Sequence, residues 1–147
     1  MKKHLIIVSS VAVALMLATS GCEQAKKTTC FKPEQPHATG KELAKCVKGE
    51  IQKVDVAKVN LSDYDFVIDV RTYPEVEKGI IEGAKHIPSG KLPFKIAGTV
   101  KDKNANILLY CKKGGRSALA TYTLNAIGYK NVTSMEGGYT GYMELNK

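Results

Sequence analysis

The chain carries 147 residues, a formal net charge of +8 and only four cysteines. Those numbers allow one modest hydrophobic core, and they exclude both a second full domain and a disulfide-dense mini-protein. The basic excess raises nucleic acid as a partner, but no nucleic-acid motif accompanies it. It points instead to an anionic membrane surface or to small anions.

Lys2 and Lys3 open the chain, and Leu5 to Leu17 is apolar apart from Ser9 and Ser10. That run is shorter than the ~20 residues a spanning helix needs, and it fits an export signal. Ala18-Thr19-Ser20-Gly21-Cys22 then brings small residues up to a cysteine. This stretch resembles the lipobox of bacterial lipoproteins, although Thr19 stands where leucine is usual. The resemblance implies a lipoprotein signal peptide at 1–21, lipidation of Cys22, and a lipid anchor on the periplasmic side of a cell-envelope membrane. An ordinary secretory signal is the competing reading. Losing Lys2 and Lys3 lowers the net charge from +8 to about +6.

Residues 22–50 read as a tether and a short helix. Positions 23–38 are polar and contain Pro33 and Pro36, as a linker does. Thr39-Gly40-Lys41-Glu42 is a capping-box pattern. The helix it starts places Leu43, Ala44 and Val47 on one face and stops at Gly49.

The domain is expected over 51–147. A first short strand lies within Ile51–Val59. Phe66-Val67-Ile68-Asp69-Val70 is a buried strand by its β-branched content. Tyr73–Lys78 is a short helix ending at Gly79, His86-Ile87 a brief strand, and Lys91–Thr99 a turn with a helical piece. Ile107–Tyr110 is the central strand. The helix beyond residue 116 places Leu119, Tyr122, Thr123, Ala126 and Ile127 on one face and ends at Gly128. Asn131–Ser134 is a last strand, Gly137-Gly138 a turn, and Tyr139–Leu145 a terminal helix. Strands alternating with helices imply a single α/β domain with a small, mostly parallel sheet flanked by helices. Ligands in such sheets sit at the carboxyl ends of the strands. Asp69 and Cys111 both fall there.

Cys111 closes the central strand and opens Cys-Lys-Lys-Gly-Gly-Arg, Cys111 to Arg116. A strand end, a tight turn and a helix N-terminus converge on one thiol. Inward N–H groups and the helix dipole favour negative charge there. Lys112, Lys113 and Arg116 add three cations. A free thiol has pKa ~8.5, and such surroundings lower it to roughly 3.5–7.5. A buried packing cysteine, the bland reading, has no use for two glycines and three cations in the next five residues.

Three segments together resemble the rhodanese family. They are Asp69-Val70-Arg71 with Glu75; Gly79 to Ala84 with Ile87-Pro88; and Tyr110-Cys111 to Arg116-Ser117. Gly128-Tyr129 and Gly137-Gly138-Tyr139 match the family's tail, and the likeness covers about residues 51–145. Ile80 stands where the family usually has histidine. The resemblance implies a sulfurtransferase. Cys111 would take a sulfane sulfur from a small anionic donor such as thiosulfate and pass it to cyanide or a thiol. Covalent catalysis splits that transfer into two easier steps. The turn's N–H groups would stabilise the charged sulfur.

A cysteine-based phosphatase or arsenate reductase is the alternative, and a non-catalytic rhodanese-like binding module is a third. The first two place five residues between Cys and Arg, and four intervene here. The module usually lacks the cysteine. Lys112, Lys113, Gly114, Gly115 and Arg116 are the expected substrate-binding residues. Asp69 and Arg71 read as structural support, an ion pair braced against Glu75. His86 and His37 have no partner at metal-ligand spacing and read as structural or exposed. No Cys-x-x-Cys or Cys/His zinc pattern occurs, so neither metal nor cofactor is expected. Cys30 and Cys46 remain, and an oxidising compartment lets them pair. The alternative is that one of them resolves a persulfide on Cys111.

Overall fold

The computed structural model describes Cys30 and residues 39–147. The expected signal peptide at 1–21, the expected lipidation site Cys22, His37 and the tether apart from Cys30 lie outside the described residues. Among the described residues five strands form one sheet: β1 (Gln52–Asp55), β2 (Phe66–Asp69), β3 (Lys85–His86), β4 (Asn106–Tyr110) and β5 (Asn131–Glu136). Their order is β1-β5-β4-β2-β3, and every pairing is parallel. The helices are α1 (Gly40–Val47), α2 (Tyr73–Val76), α3 (Leu92–Thr99), α4 (Gly115–Ala126) and α5 (Gly138–Leu145). The chain is a single α/β domain, and its sheet is wholly parallel.

β4 lies at the centre, and Ile107 to Tyr110 are all buried. A parallel strand covered on both faces needs a continuous apolar run. Its side chains divide by alternation. Ile107, Leu109 and Cys111 join Leu92 and Ile96 of α3 and Leu124 of α4 in one core layer. Leu108 and Tyr110 join Met135, Tyr139 and Tyr142 in the layer on the opposite face. Asp69 is in register with Tyr110. The ends of β2 and β4 are therefore neighbours, and Asp69 and Cys111 meet at the carboxyl edge of the sheet.

The face expected for α4 is corrected by the structure. Ser117, Ala118, Ala120, Thr121 and Leu124 are its buried residues, whereas Ile127 is 41% exposed. The bulky side chains of β4 and β5 already fill the layer beneath, so small α4 residues let the helix approach closely. Leu119 and Tyr122 pack sideways, with Ala118, against Leu43, Cys46 and Val47 of α1.

That contact makes α1 part of the domain's packing. Its start is the expected capping box: Glu42 N–H donates to Thr39 Oγ1 at 3.2 Å, and Thr39 N–H donates to Glu42 Oε2 at 3.0 Å. A disulfide joins Cys46 of α1 to Cys30. Among the described residues, no helix is long and apolar enough to cross a membrane.

Candidate active site

Cys111 is the free cysteine among the described residues. It is 2% exposed, so only a small group reaches its sulfur. The chain leaves β4, turns through Lys112 to Gly114 and enters α4 at Gly115. Gly114 holds φ +92°, and a Cβ there would press on the Met135 carbonyl at 3.3 Å. Glycine lets the turn close, and Gly114 N–H then donates to Cys111 Sγ at 3.2 Å.

Burial alone would push the Cys111 thiol up. The Ser117 and Lys113 N–H groups, the Ser117 hydroxyl and the Gly114 N–H outweigh it, and the thiol lies below its ordinary value. The expected direction of the shift therefore holds, and so does the expected role of the ring N–H groups, while the lysine cations are not among its leading causes. Ring amides and a hydroxyl hold the sulfur, while the Lys112 and Lys113 side chains lie exposed at the surface. Ser134 of β5 completes the arrangement from below, donating its hydroxyl to Ser117 Oγ at 2.8 Å. Both serines are buried.

The last helix clamps the turn. Tyr139 N–H donates to the Cys111 carbonyl at 2.7 Å and Thr140 N–H to the Lys112 carbonyl at 3.1 Å. Gly138 permits this approach, because any Cβ there would overlap the Cys111 and Lys112 backbone.

Arg71 and Asp69 form the expected ion pair, buried, with Nη2 to Oδ2 at 2.6 Å. Burial alone would lower the Arg71 pKa, but Asp69 holds it above its ordinary value. Arg71 also donates to the Gly79 carbonyl at 2.7 Å and lies 3.8 Å from the centre of the Tyr139 ring. It ties the end of β2 to α5 beneath the site. The expected brace through Glu75 takes another form. Arg71 reaches only the Glu75 carbonyl, at 3.3 Å. The Glu75 carboxylate turns instead to Arg116, with Nη1 to Oε2 at 2.6 Å and Nη2 to Oε1 at 2.7 Å. Two bonds to the Arg116 fork outlast anything Arg71 could add while it holds Asp69. His86 is structural: its Nε2 is 2.8 Å from the Arg71 carbonyl oxygen, and its ring meets Tyr73 edge-on.

Of the expected site residues, the structure brings Cys111, Gly114 and Arg116 together and leaves the two lysines at the rim. Ser117 and Ser134 were not assigned roles from sequence, and Glu75 was expected on Arg71 rather than on Arg116. The Thr72-x-x-Glu75 pattern is a visible capping signature, and it marks where Glu75 is held. Ser134 has no local signal at all.

Comparisons with known proteins bear on the fold and the family. A family model for the rhodanese-like domain matches residues 50–145. The tRNA uridine(34) hydroxylase of Yersinia enterocolitica is 33% identical over 104 residues, covering 67% of this chain and 30% of that protein. The chain thus spans under a third of the length of that relative. Among solved structures, a Rhodopseudomonas palustris protein of unknown function, described as a possible tyrosine phosphatase, aligns with TM-score 0.68 at 24% identity. That alignment covers 79% of this chain and 97% of that one. A human single-domain sulfurtransferase aligns with TM-score 0.52 at 22% identity, covering 63% and 95%. Both structural likenesses speak for the fold. With the matched family covering β1 through α5 and the whole Cys111 ring, the chain belongs to the rhodanese-like domain family.

Proposed function

We propose that this chain is a sulfurtransferase that carries sulfane sulfur as a persulfide on Cys111. The observation that carries the reading is the ring itself: a buried sulfur with Gly114 N–H at 3.2 Å and a lowered thiol pKa. The Cys111 thiolate attacks the outer sulfur of thiosulfate. The S–S bond of the donor breaks, and its electron pair leaves with sulfite. Cys111 then bears a persulfide whose terminal sulfur is negatively charged. Cyanide or a thiolate attacks that terminal sulfur, and the Cys111 thiolate is released with the electron pair. Ring N–H groups aimed at the place where charge develops lower the barrier of both halves. Lys112 and Lys113 draw in the anionic donor. In the same proposal, a lipid on Cys22 holds the domain at the periplasmic side of a membrane, a reading supported by the Ala18 to Cys22 stretch.

A ring with four residues between Cys111 and Arg116 suits one sulfur atom better than a phosphoryl or arsenate group. The test is intact mass after thiosulfate treatment, on wild type and Cys111→Ser. One added sulfur on wild type alone is expected, together with thiosulfate:cyanide turnover that falls to background in Cys111→Ser. Substantial turnover in the variant, or efficient hydrolysis of an aryl phosphate by wild type, overturns the reading.

A further inference from the structure

Arg116 closes the ring that Cys111 opens, and its pKa is held above its ordinary value by Glu75 first and by Cys111 after it. It is the group that would grip a tetrahedral oxyanion at the mouth of the ring. A guanidinium does so with two parallel N–H donors. Here both terminal nitrogens are already engaged by the two oxygens of the Glu75 carboxylate, at 2.6 and 2.7 Å. Glu75 is itself held. Thr72 N–H donates to its Oε2 at 3.0 Å and the Thr72 hydroxyl at 2.7 Å. Arg116 above all, with Thr72, keeps the carboxyl well below the usual carboxylate range. It stays charged at any pH where the protein works. A tetrahedral dianion must therefore displace a fixed carboxylate or sit beside its negative charge. A single sulfur atom of low charge needs no such fork.

We propose that Glu75 is a specificity-determining residue, turning the site against tetrahedral dianions and toward sulfane donors of low charge, namely alkyl persulfides. This rests on the sulfurtransferase reading and narrows its donor class. The step balances with such a donor. The Cys111 thiolate attacks the outer sulfur of R–S–S–H, the S–S bond breaks, and R–S⁻ leaves with the electron pair. Cys111–S–S–H remains and keeps the proton. Phosphate, arsenate and the sulfonate end of thiosulfate are all disfavoured by one device. Lys112 and Lys113 still attract them, but from the rim.

The first measurement uses no sulfur chemistry. Inorganic phosphate is titrated, at fixed ionic strength, as a protectant of Cys111 against iodoacetamide. The proteins are wild type, Glu75→Gln, and Glu75→Gln combined with Arg116→Ala. Gln keeps an oxygen acceptor for the Thr72 cap, so the first variant removes the charge and one of the two acceptors that hold the Arg116 fork. Glu75→Gln should lower the half-protecting phosphate concentration about tenfold, and the double variant should return it to the wild-type value or above. Unchanged protection in Glu75→Gln overturns the proposal, as does tighter protection that persists without Arg116. The second measurement compares donors. In Glu75→Gln the thiosulfate KM should fall by a similar factor, while kcat/KM for cysteine persulfide stays within about twofold. A parallel change for both donors overturns the donor class. A wild type that gains sulfur from neither donor defeats the sulfurtransferase reading itself, and the phosphate titration still decides the role of Glu75.

Discussion

Ser134 Oγ donates to Ser117 Oγ at 2.8 Å across the junction of β5 and α4. The Ser117 hydroxyl is one of the groups that hold the Cys111 thiol below its ordinary value. An oxygen that accepts from one side is a better donor on the other. Strand β5 thus acts on the Cys111 thiol through Ser117.

The rate of Cys111 alkylation against pH should therefore have its midpoint below that of an ordinary free cysteine in wild type. Ser134→Ala should move that midpoint upward by roughly half a pH unit, about 0.7 kcal/mol. Ser134→Thr, which keeps the hydroxyl, should leave it near the wild-type position. A midpoint that ignores Ser134→Ala would confine this serine to packing.

Lys112 and Lys113 are exposed, so their attraction for an anion is Coulombic and screened by salt. Replacing both with alanine should raise the thiosulfate KM and flatten its dependence on ionic strength, with a smaller change in kcat. Steady-state kinetics at three salt concentrations measures this. An unchanged KM would reduce the pair to solvated turn residues.

Arg71 and Asp69 are buried together. Removing one partner strands the other as an unpaired interior charge, at a cost of about 3–5 kcal/mol. Arg71→Ala should lower stability by that order in urea unfolding. It should also lose the anchor on Gly79 and Tyr139. Asp69→Asn, which still accepts hydrogen bonds, should cost less.

Cys30 and Cys46 lie 16 residues apart in sequence and are bridged. In the chain-entropy account, closing a loop of that size contributes ~3 kcal/mol. Cys46→Ser should lose stability of that order by denaturant unfolding and leave Cys111 reactivity almost unchanged. Thiol counting on unfolded, unreduced protein lacking Cys22 should find one labelled site, at Cys111. Labelling at Cys30 and Cys46 would remove the bridge from the account.

Local pattern carried most of the fold. The Thr39 capping box, the apolar run of β4 and the glycines around Cys111 all sit within a few residues of what they determine. The reach of α1 onto α4 did not show, because Leu119 and Tyr122 are apolar whichever layer they face. Small residues on the true inner face, such as Ala120 and Thr121, carry almost no hydrophobic signal. The site divides in the same way. The Cys111 turn is contiguous and legible. The Glu75–Arg116 pair spans 41 positions and Ser117–Ser134 spans 17. A single sequence offers no reason to pair them.

The clamp of α5 on the Cys111 turn has a consequence for the newborn chain. Tyr139 and Thr140 supply the N–H groups that fix the carbonyls of Cys111 and Lys112, and α5 is made only after the turn it fixes. A chain still emerging from the ribosome, before α5 has docked, holds Cys111 as a commonplace thiol. The turn takes its final shape when the start of α5 docks against it. Sulfur donors and oxidants met on the way find nothing activated to attack.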